Sequence, residues 1–218
     1  MTPIDRAELR SAIYGTLALA FHGADPREVL HRAGRLGRTA RAIGECALAD
    51  ALETWAKLAQ GESVESVTQD FHDLFLVPSD KYVTPHESAY ADRPSDPGVG
   101  GLKTMNGVVA AAVQRFYRRV GLAIAPDYTE SPDFAGLEMA CMEYLCALEA
   151  RHPSCEDRER ADANRSAQSM FLEEHLVRWI PSLCRRMTEV AETRFHVGLA
   201  RATAAIVEAE EKASDVRS

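Results

Sequence analysis

Apolar residues recur every three or four positions along almost the whole chain, and this spacing restricts the fold more than any other feature of the sequence. Near the start, Leu9, Ile13 and Leu17 fall on one face of a helix. No run of alternating β-branched residues is convincing as a strand. We therefore predict an all-α fold, in which about nine helices form a single-domain bundle over residues 1–218.

Proline, glycine and capping residues divide this pattern into separate helices. Asp25 followed by Pro26 is typical of a helix start, because a carboxylate caps the first turn and proline suits the first helical position. Pro181 is expected to begin another helix. The polar end of the chain, residues 212–218, is expected to fray. The predicted helices cover about residues 4–21, 26 onward, 38–59, 63–76, 102–120, 132–150, from a capping box at 154–157 to 179, 181 onward and 193–211.

The helical spacing stops between residues 78 and 101. This stretch holds four prolines and three glycines. A connection of this length is uncommon as a plain linker within a domain. We predict that residues 78–101 form a functional loop or a hinge, and a hinge there would allow either a monomer or a domain-swapped dimer.

The charge balance narrows the range of partners. The chain has 33 acidic and 25 basic side chains, a formal net charge of −8. This balance argues against a nucleic-acid or anionic-membrane partner, since both need clustered lysine and arginine. No apolar run approaches the roughly 20 residues that span a bilayer, and the first residues do not resemble a secretory signal. We expect a cytoplasmic protein without stable membrane insertion.

No common sequence motif indicates an enzyme or a metal site. The sequence contains no phosphate-binding loop, no dinucleotide fingerprint and no nucleophile elbow. It has no H-E-x-x-H motif, and no two of its five cysteines have C-x-x-C spacing. A run of four arginines could bind anions, but a solvated helix face is the simpler interpretation: Arg32, Arg35, Arg38 and Arg41. We predict no catalytic residue, no metal site and no cofactor.

Three segments remain, and each has a purely structural interpretation. In residues 71–78 the aromatic and leucine side chains have core spacing. In residues 131–142, Ser131 is expected to cap a helix with Pro132 at its first position and Asp133 in its first turn. In residues 168–181, His175 belongs to an apolar stripe and is expected to be a core histidine with a satisfied hydrogen bond.

Taken in order, these segments resemble the TorD/DmsD/NarJ-like family of redox-enzyme maturation chaperones. The shared pattern is an aromatic-x-x-L-F helix, a P-x-E-S-x-Y loop, a P-D-H-x-x-x-E helix start and an F-L-x-x-H-L-x-x-W-x-P helix. The resemblance covers about Phe71 to Pro181. Two positions differ from it, because Phe134 stands where the family has histidine and His86 stands where an aromatic residue is often found.

The resemblance implies an all-α chaperone without catalytic activity. Such a protein binds the catalytic-subunit precursor of a molybdenum-cofactor oxidoreductase, through its twin-arginine leader or its apoprotein, until the cofactor is inserted. The predicted partner-binding residues are those that the resemblance implies and those expected to line an apolar groove for the leader. They are Leu74, Phe75, Pro85, His86, Glu87, Ser88, Tyr90, Pro132, Asp133, Phe134 and Glu138.

A physical argument accompanies this assignment. Two adjacent arginines of a leader need carboxylates that accept forked hydrogen bonds, and we expect Glu87, Asp133 and Glu138 to supply them. The apolar part of the leader needs a groove, which Leu74, Phe75 and Phe134 are expected to line. The alternative is a generic helical adaptor or regulator that binds some other protein.

Overall fold

The computed structural model describes residues 3–91, 102–151 and 158–215. Most of these residues lie in helices, and within this part of the chain two residues form an isolated β-type pair but no strand occurs. The predicted all-α fold is confirmed. The helices are α1 (Pro3–Phe21), α2 (Pro26–Ala42), α3 (Cys46–Leu58), α4 (Val64–Phe75), α5 (Leu102–Arg119), α6 (Ala135–Arg151), α7 (Arg158–Phe171), α8 (Val177–Val190) and α9 (Arg194–Asp215).

Local capping accounts for two of the helix starts. The Asp25 carboxylate accepts a hydrogen bond from Arg27 N, and Pro26 occupies the first position of α2, as predicted. Ser63 caps α4 by accepting from Ser66 N. The predicted helix over residues 38–59 is wrong, because α2 continues to Ala42 and α3 begins only at Cys46. Gly44 lies between them with φ of 83°, a conformation that glycine adopts at little cost.

The helix pair α7 and α8 differs most from the prediction. A π-helical turn, Leu172–Leu176, joins the two into one continuous helical run. Pro181 lies inside α8 rather than at a helix start, so that prediction is wrong. The proline removes one intrahelical hydrogen bond. Burial of the adjoining Trp179, Ile180 and Leu183 stabilises the helix across that position.

The core is built around the pairing of α1 with α6. Helices α2 and α3 form an antiparallel hairpin beside α1, and α9 packs between α3 and α8. A buried ionic cluster joins three of these helices: Arg10 of α1 contacts Glu210 of α9 and donates to Gln168 of α7 at 2.9 Å. The last helix also extends past the predicted end at residue 211. It continues to Asp215 with Ser214 buried, and residues 216–218 lie outside the described part.

The loop after α4 is irregular as far as residue 91, apart from a 3-10 turn at Glu87–Ala89. The rest of the predicted loop or hinge, residues 92–101, lies outside the described part. Residues 83–90 of this loop pass over the bundle next to the start of α6, and the candidate site lies there.

Candidate partner-binding site

The loop after α4 is fixed to the segment that leads into α6. His86 and Phe134 form an antiparallel pair with their ring centroids 5.7 Å apart. Two backbone hydrogen bonds flank this pair and are typical of an antiparallel strand pairing. They run from Glu87 N to the Asp133 carbonyl at 3.0 Å and from Ala135 N to the Pro85 carbonyl at 2.9 Å.

The Asp133 side chain fixes the loop instead of capping a helix. Its carboxylate accepts from Ser88 N at 3.0 Å and from the Ser131 hydroxyl, and the residue is 1% exposed. Helix α6 begins at Ala135, so the prediction that Ser131 caps this helix with Pro132 at its first position is wrong. The physical reason is that the backbone N–H bound by Asp133 belongs to the loop, 45 residues earlier in the sequence.

A chain of buried polar groups extends from the loop into the bundle. Glu87 Oε2 lies 2.8 Å from His175 Nδ1, and Trp179 donates from Nε1 to Glu138 Oε2 at 2.9 Å. The other Glu138 oxygen receives no hydrogen from a neighbouring donor. Burial, followed by the charge of Glu87, raises the pKa of Glu138 well above its usual range.

Aromatic residues enclose this polar chain. The Tyr90 ring packs on Trp179 with centroids 5.5 Å apart, and burial raises the Tyr90 pKa to about 12. Tyr117 of α5 donates from its hydroxyl to the Pro132 carbonyl at 2.9 Å. The loop, α5, the start of α6 and the π turn therefore meet in one enclosed cluster. We call it the buried latch: Glu87, Ser88, Asp133, Glu138, His175 and Trp179.

The structure thus brings together most of the predicted site residues but turns their functional groups inward. Glu87, Asp133 and Glu138 are each less than 10% exposed and already have partners. The prediction that these carboxylates stand open for a leader's arginines does not fit this arrangement. The prediction that Leu74, Phe75 and Phe134 line an open groove also fails, since all three are buried. Leu74 and Phe75 belong to the core beneath the loop.

The two departures from the family pattern are explained by the pairing of the loop with the α6 segment. His86 and Phe134 face each other across the short antiparallel pair. The histidine and the aromatic residue expected at these positions are therefore both present, with their places exchanged. His86 is half-buried, with Nε2 3.4 Å from Glu130 Oε2, while Phe134 contacts the His22 ring at 5.1 Å between centroids.

Three residues that belong to the buried latch or contact the segment beside it were not among the predicted site residues. His175 is confirmed as a buried histidine with a satisfied hydrogen bond, and its partner is Glu87. Trp179 and Tyr117 also hold the cluster together. The F-L-x-x-H-L-x-x-W-x-P motif contains two of the three, so their place in the motif was the available signal.

A groove opens beside the buried latch, between α5 and the helical run of the π turn and α8. Its volume is about 660 Å³. Glu87, Phe116 and His175 reach it from the protein interior, while Val108 and Arg115 lie on its α5 side. We call it the α5–α8 groove.

In residues 3–91, 102–151 and 158–215, no group of three or more histidine, cysteine, aspartate or glutamate side chains is arranged to hold a metal ion. Two pairs have E-x-x-H spacing: Glu28 with His31, and Glu149 with His152, which lies outside the described residues. The acids pair instead with Arg32 and Arg10. No helix within these ranges is long and apolar enough to cross a membrane.

Comparison with known proteins identifies the family of this chain. A family model described as nitrate reductase delta subunit matches residues 45–185, which is more than half of the chain. The chain therefore belongs to this family, and the resemblance identified from the three segments is confirmed.

The similar curated proteins are named as chaperones and not as enzymes. One, chaperone protein TorD of Vibrio cholerae strain M66-2, is 25% identical over 146 residues, covering 67% of this chain and 61% of the relative. Another, chaperone protein TorD of Shewanella pealeana, is 23% identical over 213 residues, covering 93% of this chain and 87% of the relative. The chain thus spans about three fifths of the length of the Vibrio protein. No solved structure matches it significantly.

Proposed function

We propose that this protein is a cytoplasmic maturation chaperone for the catalytic subunit of a molybdenum-cofactor oxidoreductase. It binds the subunit before cofactor insertion and delays its export or assembly. The observation that carries the proposal is the buried latch. It consists of residues from the three family motifs, and it fixes the loop in a chain whose relatives are named as chaperones.

The region around the latch is the proposed partner-binding site. Its buried members, Glu87, Asp133 and Glu138, shape the loop and do not contact the guest. The surface offered to a partner is the outer side of the loop and of the residues before it. Leu76 and Val77 are 57% and 50% exposed there, and such large exposed apolar side chains suit a protein partner.

Isolation of the natural complex tests the proposed function. The tagged protein is recovered from its native cells grown under conditions that induce molybdoenzymes, and bound proteins are identified by mass spectrometry. We expect a molybdoenzyme catalytic subunit without its cofactor. Recovery of other proteins only, with no molybdoenzyme subunit, would favour the adaptor interpretation.

Leader recognition is the finer part of the proposal. The leader's apolar segment is expected to contact Leu76 and Val77, so the double variant Leu76→Ser/Val77→Ser should bind a labelled leader peptide about tenfold more weakly. Val108→Ser is the control, because Val108 is also a large exposed apolar residue but lies on α5. Equal affinity of all three proteins in a fluorescence anisotropy titration would remove this part of the proposal.

A further inference from the structure

Residues 107–112 of α5 present an apolar face that is at least partly exposed. None of the side chains at residues 107–112 is buried, and Val108 is 67% exposed. The helix is held in place by its second half, where Val113, Phe116 and Tyr117 are buried. Phe116 packs on Phe171 with ring centroids 4.7 Å apart. The α5–α8 groove lies along α5 from Val108 to Arg119.

The floor and the rim of this groove differ in chemistry. Apolar side chains form the floor on the α5 side, with Val108, Ala112 and Phe116 spaced along one face. Three arginines form the rim, two from α5 and one from α8, and all three are exposed: Arg115, Arg119 and Arg178.

The charges of these arginines are not neutralised by carboxylates of the described residues. Among the described residues, none of the three forms an ion pair with a carboxylate. Arg119 lies 4.7 Å from the centre of the Phe116 ring and contacts the Met170 sulfur, and Arg178 donates to the Glu173 carbonyl. Of the two lining acids, Glu87 is bound to His175 within the latch and only Glu174 is exposed. A positive rim on a protein of net charge −8 is a local feature that the overall charge conceals.

We propose that the α5–α8 groove binds an acidic, partly apolar segment of a partner protein. Carboxylates of that segment would pair with the arginine rim, and its apolar side chains would cover Val108 and Ala112. A twin-arginine sequence would be repelled by the same rim, so the groove is distinct from a leader site. The inference rests on the proposed function in one respect, namely that the segment belongs to the client's apoprotein.

The test uses two synthetic helical peptides and four variants of the full chain. One peptide alternates leucine and alanine with glutamate on one face, and the other has lysine in place of each glutamate. The groove variant is Arg115→Glu/Arg178→Glu, and each of its single variants is also measured. Arg185→Glu is the control, because Arg185 is exposed on α8 but does not line the groove.

We expect the glutamate peptide to bind wild type and Arg185→Glu equally in anisotropy titrations at low salt. The groove variant should bind it at least about tenfold more weakly, since two attractive contacts become repulsive. The lysine peptide should not bind wild type. Equal binding of the glutamate peptide by the groove variant, absence of binding to wild type, or preference for a single-stranded oligonucleotide would overturn the inference.

The co-purified complex separates this inference from the proposed function. If the client is recovered with wild type and Arg185→Glu but lost with the groove variant, both proposals are supported. Equal recovery with the groove variant contradicts the groove assignment and leaves the function standing. Absence of a molybdoenzyme from every sample contradicts the proposed function, while the peptide titrations still decide the groove.

Discussion

Glu138 shows how a single side chain can link two parts of the proposed site. It is fully buried, accepts a hydrogen bond from Trp179 and faces the Glu87 carboxylate. A buried pair of carboxyl groups is stable only when one of them carries a proton. The Glu138 side chain is therefore expected to be neutral, and its role is to hold the loop and α8 together.

Replacement of Glu138 by glutamine tests this protonation state. Glutamine can accept a hydrogen bond from Trp179 and donate one to Glu87, as a protonated glutamate can. The unfolding free energy of Glu138→Gln should therefore be within about 1 kcal/mol of the wild-type value. Glu138→Ala leaves the buried Trp179 N–H without its acceptor and should lose about 2 kcal/mol of unfolding free energy. Urea denaturation measures both. Equal losses for the two variants would contradict a neutral Glu138.

The same residue predicts a pH dependence. Its pKa is higher in the folded protein than the ordinary value, so folding retains a proton that the unfolded chain releases. The stabilisation is complete below the ordinary glutamate pKa of about 4.3 and is lost as pH rises through the folded value. Urea midpoints of wild type should therefore decrease with rising pH more steeply than those of Glu138→Gln. Parallel curves would argue against the raised pKa.

The His86 and Phe134 pair predicts a coupling between two residues far apart in sequence. Phe134→His places an imidazole at a position only 6% exposed and should be destabilising. His86→Phe restores the complementary aromatic ring, so the double variant should be more stable than the sum of the single effects by about 0.5–1 kcal/mol. A control cycle combines His86→Phe with Lys212→Ala, whose ion pair is with Glu208. Additivity in both cycles would mean that the rings do not act as a pair.

At the scale of elements, boundaries set by local contacts could be predicted and boundaries set by distant contacts could not. The start of α2 follows from Asp25, which bonds to a residue two positions away. The start of α6 could not be read in this way, because Asp133 bonds to Ser88 in the loop. The helical run through Pro181 likewise depends on burial of its neighbours, which the sequence does not display.

The same distinction applies to the candidate site. Motif order identified the residues that meet, from Pro85 to Glu138, since their sequence pattern is shared with a family. The direction in which their side chains point could not be predicted. An acidic residue in a motif suggests an open binding site, but Glu87 and Asp133 are satisfied by a histidine and a backbone amide that approach only in the folded chain.

A second long-range clamp predicts how two elements stay together. Asp70 of α4 accepts from Thr193 N at 2.9 Å, from Glu192 N at 3.1 Å and lies 3.0 Å from His196 Nδ1. Burial alone would raise the Asp70 pKa, but the bonds from His196, Thr193 and Glu192 outweigh it and lower the pKa to about 2. The carboxylate thus fixes the start of α9 against α4.

Acid should remove the stabilisation by this clamp only below the ordinary pKa of an aspartate. The Asp70 contribution is present above the ordinary aspartate pKa of about 3.9 and is lost as pH falls through about 2. Asp70→Asn should therefore lose about 2 kcal/mol of unfolding free energy at neutral pH. Its stability should also fall less steeply than that of wild type as pH decreases below about 4. Thermal unfolding followed by circular dichroism at several pH values measures this. The same decrease of melting temperature with falling pH in both proteins would contradict this role of Asp70.

At the scale of the whole molecule, the helical bundle presents two unlike surfaces beside one rigid cluster. The loop and the end of α4 expose Leu76 and Val77, and the α5–α8 groove exposes an arginine rim. The acidic net charge favours approach of a basic leader, while the groove suits an acidic segment. A chaperone with both surfaces could hold two different parts of the same client.

The central claim is that this protein prepares a molybdoenzyme subunit for cofactor insertion. The most direct measurement is the molybdenum content of that subunit, purified from native cells with and without the gene for this chain. We expect the subunit from cells lacking the protein to be largely without molybdenum, with recovery when the wild-type chain is restored. Equal molybdenum content in the two strains would contradict the account.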